Sequence, residues 1–157
     1  MDQTQLKNIK YRPATAEDAA EVAQVYLASH KKYVSCAPLA HTDTEVRRWI
    51  KTFLIPTGGV EVAILQGEIL GMCATSHDGK YGWINQLYLR PDSVGSGIGA
   101  VMLERALTKL DRPVRLYTFQ ENEGARRFYE RHGFKAIEFG DGSGNEEGAP
   151  DVLYELV

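Results

Sequence analysis

A strand-like run that stops at a proline and is followed by three alternating glycines constrains this chain more than any other feature. The run covers residues 87–89, the proline is Pro91, and the glycines are Gly95, Gly97 and Gly99. Proline removes a backbone N–H, whereas glycines permit tight turns and close approach of a ligand to the backbone. Apolar residues then recur at three- and four-residue spacing, which predicts a helix whose positive end favours an anion. The sequence therefore predicts a loop that holds a group such as a diphosphate.

The first part of the chain predicts a strand followed by two helices. The strand is expected at residues 9–12, and a capping signal directly after it predicts the start of the first helix. The second helix is predicted to begin after Thr42 or Thr44 and to end near Pro56. We expect the connection between the helices, residues 30–41, to be a mobile segment that faces the substrate.

The remaining segments predict most of a sheet. Strands are expected at residues 60–65, 69–76, 81–89, 114–119, 134–139 and 152–156, with helices from residue 97 and over residues 123–132. The first three of these strands are separated by short turns, which indicates an antiparallel meander. The predicted fold class is α/β, a mixed and mostly antiparallel central sheet of about seven strands flanked by about four helices. Residues 1–157 are expected to form a single domain.

Composition narrows the class of partner. The net charge of −3 supplies no general attraction to nucleic acid or to an anionic membrane. No apolar run approaches the roughly 18 residues of a membrane-spanning helix, and the start of the chain lacks the apolar segment of a secretory signal. We therefore expect a cytoplasmic protein that binds neither nucleic acid nor a membrane.

No metal site and no cysteine-based site is predicted. Cys36 and Cys73 are far apart, and the apolar run around Cys73 favours a core position. The polar residues 141–152 superficially resemble a calcium loop, but Glu146 stands where glycine is required and Val152 where the final glutamate is required. Neither a zinc spacing nor a disulfide framework can be argued.

Taken alone, the glycine loop leaves a nucleotide, a dinucleotide, an acyl carrier and a plain turn open. A dinucleotide site requires G-x-G-x-x-G after the first strand of a βαβ unit, whereas these glycines alternate after a meander. A nucleotide P-loop requires Gly-Lys followed by Ser or Thr, and here Ala100 and Val101 follow Gly99. Both familiar phosphate sites are therefore disfavoured.

A second motif follows, one helix and one strand later. Residues 122–134 read Asn-Glu-Gly-Ala-Arg-Arg-Phe-Tyr-Glu-Arg-His-Gly-Phe. The motif begins with a residue that caps helices and reaches a glycine suited to a helix C-terminus. Together and in this order, the two motifs resemble the GCN5-related N-acetyltransferase (GNAT) family. The resemblance covers the whole chain in element order and is sharpest over residues 87–134.

The resemblance implies acetyl-CoA as the donor. It implies that the glycine-loop backbone holds the diphosphate, that the strand edge at residues 87–89 pairs with the pantetheine arm and steadies the tetrahedral oxygen, and that the thioester enters between two splayed strands. The implied cofactor-binding residues are Leu87, Tyr88, Leu89, Val94, Gly95, Ser96, Gly97, Ile98, Gly99, Ala100, Asn122, Phe128 and Tyr129. Tyr129 also matches the family's general acid for the departing thiolate, which makes it the candidate catalytic residue.

Two positions depart from the family pattern. Val94 replaces the usual Arg or Gln, so backbone amides are left to bind the diphosphate; the candidates for compensating charge are Arg90, Arg126 and Arg127. Some relatives carry a glutamate on the preceding strand, where this chain has Asn85 and Gln86, which cannot act as bases at neutral pH. The remote candidates for the base are His41, His77, Glu61 and Glu146, and a water relay fits equally well.

The resemblance thus implies direct acetyl transfer to a primary amine of a small molecule or a protein. The alternative, a noncatalytic acyl-CoA-binding or sensing domain, is suggested by Val94 and by the missing base. Acids in residues 141–150 are expected to border the acceptor site and to attract a cationic amine. Tyr33, Trp49 and Trp83 are further candidates for its lining. A homodimer is compatible with the resemblance.

Overall fold

A computed structural model describes residues 1–34 and 40–157 of the chain. The helices are α1 (Gln3–Lys7), α2 (Ala19–Tyr33), α3 (Asp43–Trp49), α4 (Ile55–Thr57), α5 (Ile98–Lys109) and α6 (Glu123–Arg131). The strands are β1 (Lys10–Pro13), β2 (Val60–Leu65), β3 (Glu68–His77), β4 (Gly82–Leu89), β5 (Val114–Phe119), β6 (Lys135–Gly140) and β7 (Asp151–Leu156). Cys36 and part of the connection at residues 30–41 lie outside the described residues.

The seven strands form one sheet in the order β1-β2-β3-β4-β5-β7-β6. All neighbouring strands are antiparallel except β4 and β5, which run parallel. Within the described residues, β4 and β5 pair only where Gly82 meets Val114 and Trp83 meets Arg115. Beyond those pairs the strands separate, as the family resemblance implied. The prediction of a mixed, mostly antiparallel seven-stranded sheet is confirmed.

Two apolar clusters cover the two faces of the sheet. Successive residues of a strand point to opposite faces, and the neighbours Val62 and Ala63 of β2 belong to different clusters. Helices α5 and α6 contribute to the cluster of Ala63, and α2 and α3 contribute to that of Val62. Cys73 is 3% exposed and lies in the first cluster, so its predicted core position is confirmed.

The helices differ from the prediction in two places. Helix α1 was not expected: it has five residues and none of its side chains is buried, although Asp2 and Gln5 form a capping box. The second predicted helix ends at Thr57, near Pro56 as expected, but it contains a π-helical turn, Ile50–Leu54, that was not predicted and that joins α3 to α4. Proline is tolerated there because it lies in the first turn of α4, where an N–H has no partner within that helix.

Candidate active site

A cleft of about 600 Å³ opens where β4 and β5 separate. Its walls come from these two strands, the glycine loop, α6 and the end of α2. The predicted cofactor residues that line it are Leu87, Tyr88, Leu89, Val94, Gly95, Gly97, Gly99, Ala100, Asn122, Phe128 and Tyr129. The remaining two do not line it: the Ser96 hydroxyl donates to the Ser93 carbonyl at 2.5 Å, and the Ile98 side chain is 0% exposed in the core.

The glycine loop has the backbone that a ligand cradle requires. Gly95 and Gly97 have φ angles of 83° and 99°, a region that residues with a Cβ adopt only with strain. A Cβ placed on Gly95 would meet no atom within 4 Å, so the backbone there borders open space. Gly99 and Ala100 bring the first turn of α5 to the same cleft, and amides in a first turn lack partners within their helix. This edge of the cleft can therefore donate several backbone hydrogen bonds to an anion.

Tyr129 is held in the wall of the cleft by aromatic packing. Its ring meets those of Phe128 and Phe134 edge-on, at centroid distances of 5.2 and 5.7 Å, and the residue is 7% exposed. Burial raises the pKa of Tyr129 above the ordinary 10.0, and the neighbouring Cys73 adds to the effect. Within residues 1–34 and 40–157 no group forms a hydrogen bond with its hydroxyl. A protonated phenol free of other hydrogen bonds therefore lines the cleft.

Helix α6 supplies cleft residues that the sequence interpretation missed. Asn122 caps the helix by accepting from the Ala125 amide at 3.3 Å. Arg131 and His132 also line the cleft. The signal was present in the sequence, since Gly124, Phe128 and Arg131 follow the spacing that places residues on one helical face. Arg131 is thus a cationic side chain on the wall that also carries Tyr129.

The three arginines considered as compensating charges form ion pairs or hydrogen bonds with other side chains. Arg90 lies 3.3 Å from Glu68 and 3.6 Å from Asp92. Arg126 Nε donates to the Tyr154 hydroxyl at 3.0 Å, and Arg127 lies 3.8 Å from Glu123. None of the three is among the residues that line the cleft, whereas Arg131 is.

The four remote candidates for the base also lie outside the lining of the cleft. Glu61 is buried on β2 and accepts from Arg105 at 2.6 and 2.9 Å and from Lys109 at 2.7 Å. His77 is exposed at the end of β3. The two others bind each other, with His41 Nε2 2.9 Å from Glu146 Oε2. The strand residues Asn85 and Gln86 do line the cleft.

The loop between β6 and β7 packs against the end of α2 beside the cleft. Ala149 of the loop and Val34 form a buried pair with Phe119 of β5 against it. On the α2 side, the rings of Tyr26 and Tyr88 meet edge-on at 4.9 Å. Among the predicted lining aromatics, Tyr33 reaches the cleft, whereas Trp49 and Trp83 do not. Trp49 packs on Tyr26 and Phe53, and Trp83 stacks on Tyr117 at 5.8 Å.

Comparison with known proteins decides the family. The model of the acetyltransferase (GNAT) family matches residues 26–134. A protein of Archaeoglobus fulgidus described as an uncharacterized N-acetyltransferase is 31% identical over 150 residues, which cover 88% of this chain and 100% of that protein. The chain belongs to the GNAT family. As a GNAT protein it is an acetyltransferase that takes its acetyl group from acetyl-CoA.

Solved structures agree with the GNAT fold. The apo form of YjaB from Escherichia coli has a TM-score of 0.75 at 23% identity, covering 95% of this chain and 97% of that one. The PaiA N-acetyltransferase of Thermoplasma acidophilum, solved in complex with coenzyme A, has a TM-score of 0.73 at 22% identity, covering 94% of this chain and 97% of that one. At these identities the likeness establishes the shared fold.

In the part of the chain that the structure describes, no helix is both long enough and apolar enough to cross a bilayer. In the same part, no group of three or more His, Cys, Asp or Glu side chains is arranged to hold a metal ion.

Proposed function

We propose that this GNAT protein transfers the acetyl group of acetyl-CoA directly to a primary amine, with Tyr129 acting on the departing CoA sulfur. The observation that carries the proposal is the Tyr129 hydroxyl, which lies in the wall of the cleft between β4 and β5. No described residue competes for its proton. Residues 1–157 serve in this proposal as one catalytic domain, because one sheet supplies both strands of the cleft.

The reaction forms one bond and breaks one. The amine nitrogen attacks the thioester carbonyl carbon, a C–N bond forms, and the C–S bond breaks with its electron pair going to sulfur. Over the reaction the nitrogen of the neutral amine loses one proton and the sulfur gains one, and an amine that arrives as ammonium first loses a further proton to solvent. A lysine-like amine, with a pKa of about 10.4, is neutral in only about one molecule in a few thousand at pH 7, so it must be deprotonated before it attacks.

The surroundings of Tyr129 favour a hydrogen-bonding role over permanent proton loss. Because burial raises its pKa, the phenol keeps its proton at neutral pH and can donate to sulfur as negative charge develops. A thiol with a pKa of about 8.5 is the stronger acid. Tyr129 therefore stabilises the thiolate, and the sulfur takes its final proton through the phenol or from solvent.

The proton of the amine leaves through water in this proposal. Asn85 and Gln86 on β4 line the cleft, and neither side chain is a base at neutral pH. Glu61 is bound by Arg105 and Lys109, and His41 is bound by Glu146. A water chain to bulk solvent needs none of these groups.

The donor binds in this proposal through the backbone. The amides around Gly95, Gly97 and Gly99 hold the diphosphate, and the unpaired edge of β4 at residues 87–89 holds the pantetheine arm. Val94 is 51% exposed at the cleft and offers no side-chain donor. The lack of a donor at Val94 supports diphosphate binding through backbone amides. It also keeps a noncatalytic acyl-CoA-binding role as the second candidate function.

Thiol release with a panel of amines, measured beside calorimetric titration with acetyl-CoA, tests the proposal. We expect acetyl-CoA to bind and free CoA to appear only when an acceptor amine is present. Binding without turnover for every amine contradicts the enzyme and supports the noncatalytic candidate. Absence of binding contradicts both.

A further inference from the structure

We propose that Glu147 binds the positive charge of the acceptor, so that the protein prefers cationic amines that carry no carboxylate beside the amino group. This inference rests on the proposed function, because it names the substrate class of the same site. It is carried by the position of Glu147, by the surfaces around it and by the partners of the neighbouring carboxylates.

Contacts on both sides fix the position of Glu147. The residue is partly buried in the loop between β6 and β7. One residue before it, Glu146 binds His41 at 2.9 Å, and two residues after it, Ala149 packs on Val34 and Phe119. The loop is therefore held on both sides of Glu147, by His41 just before α3 and by Val34 at the end of α2.

Glu147 lines a recess that adjoins the cleft. The recess has a volume of about 720 Å³. It shares Tyr117, Thr118 and Phe119 of β5 with the cleft that contains Tyr129. Glu147 therefore lines the same recess as the β5 residues that also border the cleft, which brings its carboxylate to the neighbourhood of the proposed acceptor site.

Two phenols lie within the field of the Glu147 charge. Burial is the main cause that raises the pKa of Tyr26 to about 12 and that of Tyr88 above its ordinary value. The charges of Glu147 and Glu146 add to the rise in pKa for Tyr26, and Glu147 makes a smaller contribution, after Tyr26 and Tyr129, to the rise for Tyr88. The two rings meet at 4.9 Å, and Tyr88 lines the cleft. Aromatic faces attract cations, so these rings and the carboxylate favour the same kind of ligand.

Three of the neighbouring carboxylates have partners within the protein, and the fourth, Glu138, which also lines the recess, is exposed. Glu146 binds His41, Asp141 accepts from the Ser143 amide at 2.9 Å, and Asp151 accepts from Asn145 Nδ2 at 3.2 Å. In contrast, within residues 1–34 and 40–157 no ion pair or hydrogen bond involves the Glu147 carboxylate. An ammonium group bound there would form a charge-assisted hydrogen bond with a carboxylate that has no partner among the described residues.

The charge state of amines explains why a carboxylate at the position of Glu147 would affect the choice of acceptor. Almost every amine molecule arrives protonated at pH 7. The carboxylate of Glu147 attracts that ammonium form and repels an acceptor whose amine stands next to a carboxylate. The expected substrate is therefore an amine that carries an apolar or aromatic group and has no carboxylate next to the amino group.

A matched pair of ligands and a matched pair of variants test the assignment. The ligands, 2-phenylethylamine and phenylalanine, differ only by the carboxylate, and each is titrated calorimetrically into the protein with CoA present. We expect Glu147→Gln to weaken binding of 2-phenylethylamine about tenfold and to reduce its preference over phenylalanine. Glu138→Gln, which removes the same charge from an exposed position of the same recess, should weaken it less than about twofold. Neither variant should change the affinity for CoA.

The outcomes separate this inference from the proposed function. Equal weakening by both variants overturns it, because the effect is then one of overall charge. Unchanged binding in Glu147→Gln, or a wild-type protein that binds neither ligand or both equally, also overturns it. If the binding difference is present but no amine is acetylated, the proposed function fails and the assignment of Glu147 stands.

Discussion

Tyr154 on β7 donates its hydroxyl hydrogen to the Glu130 carboxylate on α6 at 2.6 Å. The same hydroxyl oxygen accepts from Arg126 Nε at 3.0 Å. Since Tyr154 is fully buried and its ring lies 6.4 Å from that of Tyr129, the two bonds fasten α6 to the sheet beside the candidate catalytic hydroxyl.

Removal of this hydroxyl should destabilise the protein. We expect Tyr154→Phe to lower the free energy of unfolding by about 1–2 kcal/mol, because Glu130 and Arg126 each lose a hydrogen-bond partner. Urea unfolding measures the change. Tyr81→Phe is the control, since in the described part of the chain no hydrogen bond involves the Tyr81 hydroxyl. Equal losses in the two variants would contradict the role given to Tyr154.

The Tyr129 hydroxyl should matter for turnover and little for binding. Tyr129→Phe keeps the ring that packs on Phe128 and Phe134 but removes the donor to sulfur. We expect kcat to fall about 100-fold, while the dissociation constant of acetyl-CoA changes less than about twofold. Thiol release and calorimetry give the two values, and Tyr117→Phe at the edge of the cleft is the control. An unchanged kcat would remove Tyr129 from the mechanism.

The glycine cradle can be tested with two glycines of positive φ. Gly95 and Gly58 have φ angles of 83° and 90°, and an added Cβ meets nothing within 4 Å at either position. We expect both Gly→Asp variants to lose stability through backbone strain. Only Gly95→Asp should weaken CoA binding, because its carboxylate would face the diphosphate. Similar CoA affinities in the two variants would refute the cradle.

Glu61 should stabilise the fold and take no part in catalysis. The Arg105 hydrogen bonds, opposed by burial and aided by Lys109, lower its pKa below 4.5. A lowered pKa contributes stability above the ordinary value, and that contribution is lost as the pH falls through the folded-state value. Glu61→Gln should therefore show a smaller loss of stability than the wild type on acidification below pH 4.5, with kcat at neutral pH unchanged. A large fall in kcat would restore Glu61 as a base.

His41 should titrate above its ordinary value. Its hydrogen bond to Glu146 raises the pKa from 6.5, with a smaller effect from Glu45. Stability linked to this raised pKa is complete below pH 6.5 and is lost as the pH rises through the folded-state value. An NMR titration of His41 should show the pKa returning towards 6.5 in Glu146→Gln. A pKa that does not differ between the two proteins would contradict the pairing.

Features that depend on local sequence were predictable. The bounds of β2 and β5 agree with the prediction residue by residue, because β-prone runs are flanked there by turn residues. The positive φ of Gly95 and the helix cap at Asn122 depend only on residues that are close in sequence, so both could be predicted. Helix α1 begins with a capping box that can be recognised in the sequence. None of its side chains is buried, however, so it lacks the apolar stripe that predicts a helix.

Features that depend on distant contacts were not predictable. The partners that engage Arg90 and Arg126 include Glu68 and Tyr154, on other elements of the fold. Similarly, the approach of Glu147 to Tyr26 arises because the loop between β6 and β7 packs on the end of α2. Sequence spacing does not report contacts across more than 100 residues such as the one between His41 and Glu146.

The separation of β4 from β5 has a mechanical consequence. It divides the sheet into two parts, β1 to β4 and β5 to β7, joined along this seam by the pairs Gly82–Val114 and Trp83–Arg115 and beneath it by one shared apolar cluster. In the proposed complex, an extended ligand rich in amides takes the place of a missing strand between the two parts. The donor would then add hydrogen bonds across the seam to the apolar contacts that the polypeptide already provides.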